Sequence, residues 1–178
     1  MIFKTTNIKG LVEIFPRILE DERGIFFETF QQKLFLENGV PSEFVQDNQS
    51  FSRKGVLRGL HFQKKPYEQG KLVRVITGKV LDIAVDIRED SSTFGRYVGV
   101  ILDSRLNNML YVPEGFAHGF VALEDSIFSY KCTNFYNKAA ESGIIWNDKQ
   151  LNIDWGISNP VVSEKDQALP LLREVVIA

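Results

Sequence analysis

"KLVRVITGKVLDIAVDIR", residues 71–88, decides how the rest of the chain reads. Apolar and other residues alternate on both sides of a single glycine, Gly78. That alternation is the period of a β-strand rather than of a helix. In the second run Leu81, Ile83, Val85 and Ile87 fall on one face, and Val80, Asp82, Ala84 and Asp86 on the other. Two such runs about a glycine predict a hairpin. Parity leaves open whether Asp82 and Asp86 join a pocket network or face water.

The same period continues downstream in "FGRYVGVILD" (94–103) and in "NMLYVPEGFAHGFVALEDSIFSYKCTNFY" (108–136). Turn signals such as "EDSST", "DSRLNN" and "PEG" punctuate these runs. Many short strands at this spacing predict an all-β sandwich or barrel. Helix is scarce. "QQKLFLEN" (31–38) predicts one short helix, and "EKDQALPLL" (164–172) a helical turn. Neither a repeat nor a linker interrupts the pattern, so residues 1–178 read as a single domain.

Composition narrows the function classes. The 178 residues are 44% hydrophobic and 25% charged, the balance of an ordinary globular chain. A chain of this length buries enough surface to fold without a disulfide or metal staple. A net charge of −2 gives no general attraction to nucleic acid or to anionic membrane. Any anionic ligand must be met by locally placed Arg and Lys. Cys132 is alone, which excludes an intrachain disulfide and fits a reducing compartment. "MIFKTTNIKG" has no apolar signal core, and no run approaches the ~18 residues of a membrane span. The expectation is a cytoplasmic protein.

"VLRGLHFQKKPYEQGKLVRV" (56–75) holds the chemistry. His61 lies in an apolar run where a histidine is most often a satisfied structural group. Lys71 at a strand start is ordinarily a solvated end. Arg58 is harder to place blandly, because a guanidinium keeps its charge and must find an anion or water. Together the three suggest a positively charged pocket lined by strands. Arg58 and His61 are three apart, however, and a regular strand points them to opposite faces. A bulge at Gly59 would bring both to one side.

The chain has two histidines, His61 and His118, without a His-x-His pair or a second Cys. That is thin for a catalytic metal site, which takes about three protein ligands. The reference pKa of a free histidine side chain, about 6.5, lies near working pH. An acid–base role is therefore the better reading of His61. The sequence has no G-x-S-x-G nucleophile elbow and no phosphate-binding glycine loop. The 14 phenylalanines, in alternating runs, read as core.

The blocks "DERGIFFETF", "FVQDNQSFSRKGVLRGLHFQ", "QGKLVRVITGKVLDIAVDIRE", "STFG", "VPEGFAHGF", "YKCTNFY" and "SEKDQALPLL" follow one another in this order. Over roughly residues 10 to 172 the chain resembles the dTDP-4-dehydrorhamnose 3,5-epimerase family, cupin-fold enzymes of dTDP-L-rhamnose synthesis. The resemblance implies a cupin-type jelly-roll barrel with a few short helices. It implies a dTDP-linked 4-keto sugar as substrate, epimerised at both carbons beside the ketone, with no cofactor and no metal. It also implies a homodimer, with nucleic acid and membrane excluded as partners.

Site residues carry over by their blocks. His61 resembles the base, Asp166 its carboxylate partner, Tyr130 the acid on the other ring face, and Lys71 the group at the C4 oxygen. Arg23, Phe26 and Glu28 resemble an arm that meets the nucleotide, and the resemblance implies that Arg23 or Phe26 reaches the neighbouring subunit's pocket. Gln46 and Asn48 share strand parity and so can line one wall. Arg58 suits the diphosphate, where a planar fork engages oxygens. His118, Glu141 and Lys165 match positions around the sugar and diphosphate, although His118 reads equally as structural. Two alternatives stay open: epimerisation of one carbon only, and a non-catalytic sugar-nucleotide binder. A binder has no use for a base and an acid on opposite faces.

Overall fold

A computed structural model describes residues 1–41 and 43–175. The strands are β1 (Ile2–Thr5), β2 (Val12–Phe15), β3 (Leu19–Asp21), β4 (Gly24–Phe26), β5 (Gln46–Ser52), β6 (Val56–Gln63), β7 (Lys71–Thr77), β8 (Lys79–Asp86), β9 (Tyr97–Asp103), β10 (Met109–Val112), β11 (Phe116–Ala122), β12 (Ser126–Cys132), β13 (Glu141–Gly143) and β14 (Val161–Val162). Two short α-helices, α1 (Gln32–Glu37) and α2 (Glu164–Gln167), sit where the sequence placed them. Each is opened by a side-chain cap: Gln31 accepts from the Leu34 N–H, and Ser163 from the Asp166 N–H. Among the described residues no helix is long and apolar enough to cross a membrane.

The strands form two facing sheets and one small hairpin. The first sheet runs β1-β2-β10-β7-β12-β5; the second runs β13-β6-β11-β8-β9, with β14 beside β6. Among the described residues every pairing is antiparallel except β14 with β6. This is a jelly roll of the cupin type, as expected.

The hairpin expected about Gly78 does not form. β7 lies between β10 and β12 in the first sheet, and β8 between β11 and β9 in the second. Gly78 is the corner at which the chain changes sheet. Its φ is +83°, and a Cβ there would stand 2.3 Å from the Asp125 carbonyl oxygen, so only glycine fits the corner. Alternation is identical in a hairpin and in a corner, since both give each strand one inward face. Here both inward faces meet: Val73 and Val75 of β7 pack in one cluster with Val80 and Ala84 of β8.

The second face of β8 is also dry. Ile83, Val85 and Ile87 pack under Leu151, Trp155 and Leu172 of the C-terminal segment, at a typical ~1.5–3 kcal/mol for each such side chain buried. α1 covers the outside of the first sheet through Phe35, which meets Phe3 and Phe30 edge-on at 5.4 and 4.9 Å. The space left between the sheets, at the level of His61 and Tyr130, is the cavity that matters below.

Candidate active site

Gly59 brings the site together. His61 pairs with His118 and Arg58 with Phe120, so two residues of β6, Gly59 and Leu60, stand opposite Gly119 alone. This is the bulge that Arg58 and His61 required. Gly59 has φ +131°, and a Cβ on it would lie 2.6 Å from the Gly119 Cα. The extra residue sends Leu60 outward into the core under the C-terminal segment and leaves both Arg58 and His61 on the cavity.

That cavity, about 410 Å³, is lined by Arg58, His61, Lys71, His118, Tyr130, Lys165 and Asp166, with Asn48, Ser50, Phe120, Phe128 and Ser163 among the rest. A larger cavity, about 670 Å³, is lined by Lys64, Lys65, Glu68, Arg88, Glu89 and Glu114 among others. It touches neither histidine nor Tyr130, so the expected acid–base residues gather at the smaller one.

His61 Nε2 lies 2.7 Å from Asp166 Oδ1, and Asp166 Oδ2 accepts the Gly59 N–H at 3.1 Å. A carboxylate only accepts, so this contact places the ring proton on Nε2 and leaves Nδ1 as the basic nitrogen. Asp166 is 5% exposed. Burial works to raise its carboxyl pKa. The His61 hydrogen bond and charge, the Gly59 N–H and Lys165 outweigh burial and hold it below the ordinary value. The dyad partners are 105 residues apart in sequence.

Tyr130 comes from β12 in the opposite sheet. Burial, helped by Cys132, pushes its phenol pKa up against the pull of Arg58, so it keeps its proton at neutral pH. Lys71, on β7, lies over the Tyr130 ring at 5.9 Å from Nζ to the centroid. Burial pushes its ammonium pKa down, opposed by the charges of Cys132 and Asp82. His61 therefore stands on one wall, and Tyr130 and Lys71 on the other.

The remaining expected residues divide into three groups. Arg58, Asn48, His118 and Lys165 line the cavity. Arg58 is braced by Ser52 Oγ at 3.0 Å and the Phe51 carbonyl at 3.1 Å. His118 Nε2 sits 2.9 Å from each Asp82 oxygen, which answers the question parity left open: Asp82 faces inward. Asp86 also faces inward, held by Arg88, Ser91 and Thr93 at 2.6–2.8 Å.

Gln46 and Glu141 stand one layer back. Gln46 Nε2 donates to Asn48 Oδ1 at 3.0 Å, and Lys165 Nζ donates to Glu141 Oε1 at 2.6 Å. Tyr136, which the sequence reading did not single out, donates its hydroxyl to Glu141 Oε2 at 2.9 Å, and its N–H donates to Gln46 Oε1. Its place in "YKCTNFY", six residues after Tyr130, was the available signal.

Arg23, Phe26 and Glu28 are not brought to this cavity. They lie on or just after the β3–β4 hairpin, exposed, with Arg23 tied to Asp21 by hydrogen bonds of 2.6–3.2 Å. Phe26 is 67% exposed. Among the described residues no group of three or more His, Cys, Asp or Glu is placed to hold a metal ion.

Known proteins share both the sequence and the fold. The profile of the dTDP-4-dehydrorhamnose 3,5-epimerase family matches residues 5–174. The dTDP-4-dehydrorhamnose 3,5-epimerase of Shigella flexneri is 54% identical over 163 residues, covering 90% of each chain. The crystal structure of the enzyme of that name from Elizabethkingia anophelis NUHP1 superposes with a TM-score of 0.94 at 48% identity, covering 98% of this chain and 97% of the other. The dTDP-6-deoxy-D-glucose-3,5-epimerase of Legionella pneumophila Philadelphia 1, in complex with dTDP-4-keto-L-rhamnose, gives 0.94 at 47% identity, covering 98% and 94%.

Proposed function

The chain belongs to the dTDP-4-dehydrorhamnose 3,5-epimerase family, and on that premise we propose that His61, Asp166, Tyr130 and Lys71 convert dTDP-4-dehydro-6-deoxy-D-glucose to dTDP-4-dehydro-L-rhamnose by proton transfer alone. Carbons 3 and 5 both flank the C4 ketone, so both carry acidified hydrogens. His61 Nδ1 takes one of these protons, and the imidazolium so formed is stabilised by Asp166. The electron pair of the broken C–H bond moves into the ring and on to the C4 oxygen. The Lys71 ammonium donates to that oxygen. Tyr130 then delivers its phenolic proton to the same carbon from the opposite face, which inverts it. His61 loses its proton to solvent and Tyr130 regains one before the second carbon reacts.

The observation that carries this reading is the His61–Asp166 dyad on one wall with Tyr130 on the other. Arg58 and Lys165 supply cationic donors for the diphosphate. The dTDP moiety is completed by Arg23, Phe26 and Glu28 of a second copy in a homodimer. This is supported by the exposure of Leu19, Ile25 and Phe26 on a hairpin that lies away from its own cavity. A lone, buried Cys132 suits a cytoplasmic enzyme.

Incubation with the 4-keto sugar nucleotide in deuterated water, followed by NMR, tests the reaction. Deuterium at both C3 and C5 is expected. Label at one carbon would make the protein a single-carbon epimerase, and no label would make it a binder. Mixing an Arg23→Ala subunit with a His61→Asn subunit tests the dimer. Activity should reappear in hybrids, and its absence after demonstrated subunit exchange would refute a shared site.

A further inference from the structure

His118 and His61 are register partners across the β6–β11 ladder, and each places Nε2 on a buried aspartate. The proton transfers use only the first dyad. The second is the more costly to build. Asp82 is fully buried at 0% exposure, between Val80 and Ala84 on the inward face of β8, where an aliphatic side chain would pack without penalty. A buried carboxylate is retained only when paired and hydrogen-bonded. Both its oxygens lie 2.9 Å from one nitrogen of His118.

Two further facts give that carboxylate a task. His118 and Lys71 line the same cavity. The Lys71 Nζ makes no hydrogen bond or ion pair among the described residues, and Asp82 is one of two groups whose charge favours its protonated form. Lys71 lies over Tyr130 of β12 and shares the cavity with His118 of β11, His61 and Arg58 of β6, and Lys165 and Asp166 of α2, while the charges of Cys132 on β12 and Asp82 on β8 act on it. The one aspartate among these not committed to the base is Asp82.

We propose that Asp82 is a positioning residue of the enolate-stabilising wall: it holds the His118 ring with its proton on Nε2, and it serves as the buried counter-charge to the Lys71 ammonium. This rests on the reading of Lys71 as the group at the C4 oxygen. It predicts that Asp82 acts on proton removal, not on proton return or on substrate affinity.

A double-mutant cycle tests this, read by solvent deuterium exchange into the 4-keto sugar nucleotide and by net inversion. Asp82→Asn keeps size and a hydrogen-bond acceptor but removes the charge. It should lower kcat by about 10- to 10³-fold with KM within about threefold, and exchange should fall by the same factor as inversion. In a Lys71→Met background the same substitution should cost little more, because its effect passes through the ammonium. An equal loss in both backgrounds, or a loss confined to KM, overturns the proposal. If Lys71→Met alone leaves exchange unchanged, the reading of Lys71 itself is wrong. Should Asp82→Asn fail to fold, ¹⁵N-histidine spectra of the wild type decide the point. With only two histidines, and His61→Asn to assign them, His118 must show a protonated Nε2; an unprotonated Nε2 overturns the proposal.

Discussion

Replacing Gly59 by alanine tests whether the β6 bulge builds the site. The residue sits at φ +131°, where a side chain costs about 1–3 kcal/mol in strain. Its Cβ would meet the Gly119 Cα at 2.6 Å, whereas relaxed carbon contacts lie near ~3.5–4.0 Å, so β6 and β11 must part by roughly 1 Å. β11 cannot yield freely, because β8 holds it along the whole register from Phe116 to Ala122. Strain and separation together should cost about 3 kcal/mol, which for a chain of this length lowers Tm by about 6–12 °C at fixed protein concentration. The same displacement moves His61 and the Gly59 N–H relative to Asp166, and a misplacement of roughly 1 Å is worth about 10²-fold in rate. Thermal unfolding and turnover of Gly59→Ala should report both losses. Gly55→Ala is the control: φ is +86°, but nothing lies within 4 Å of its Cβ. It should cost about 1–2 kcal/mol and leave turnover unchanged. Wild-type Tm and turnover in Gly59→Ala would refute the reasoning. A lower Tm with normal turnover would show that the bulge stabilises the barrel without positioning the base.

Other outcomes follow from the same geometry. His61→Asn and Asp166→Asn should each lower turnover by about 10²–10⁴-fold or more, and the double variant should be little worse than the poorer single one, because the pair acts as a unit. Tyr130→Phe keeps the ring and removes the donor, so exchange of substrate hydrogen with deuterated solvent should survive while net inversion collapses; an equal fall in both would move Tyr130 to a positioning role. For Asp86, burial works to raise the carboxyl pKa, but hydrogen bonds from Arg88, Ser91 and Thr93 hold it at about 2, below the 3.8 of a free side chain. A folded pKa below the unfolded one means stability that is full above the unfolded value and lost as pH falls through the folded value. Asp86→Asn should therefore remove about 1–3 kcal/mol of the stability lost on acidification from about pH 5 to about pH 2, measured by urea unfolding; an unchanged acid profile would contradict the network. Turnover should withstand exhaustive chelation, and loss with EDTA followed by recovery with one divalent ion would overturn proton transfer without a metal.

Much of this architecture is written locally. Alternation in residues 71–88 set the strand faces, and those faces are the ones observed. A separation of three positions between Arg58 and His61, with a glycine in the gap, demanded a bulge, because a side chain cannot change sides of a strand without an extra residue. The caps at Gln31 and Ser163 act within three residues of themselves. The identities of His61, Asp166, Tyr130 and Lys71 came from the order of sequence blocks, a whole-chain property rather than a local one. What the tertiary structure decided was which faces meet. A corner and a hairpin at Gly78 have the same alternation, and only the Asp125 carbonyl and the neighbouring strands select the corner. Asp82 and Asp86 share parity with Val80 and Ala84, yet an inward face reads as dry or wet only once a second sheet lies over it. The pairing of one aspartate to each histidine spans 105 residues in one case and 36 in the other, and no local period reaches that far. Arg23, Phe26 and Glu28 carry the same lesson from the other side. Their sequence block points to the site, but chain geometry holds them on or just after a hairpin away from it, because one barrel's strands close around its own cavity without that arm.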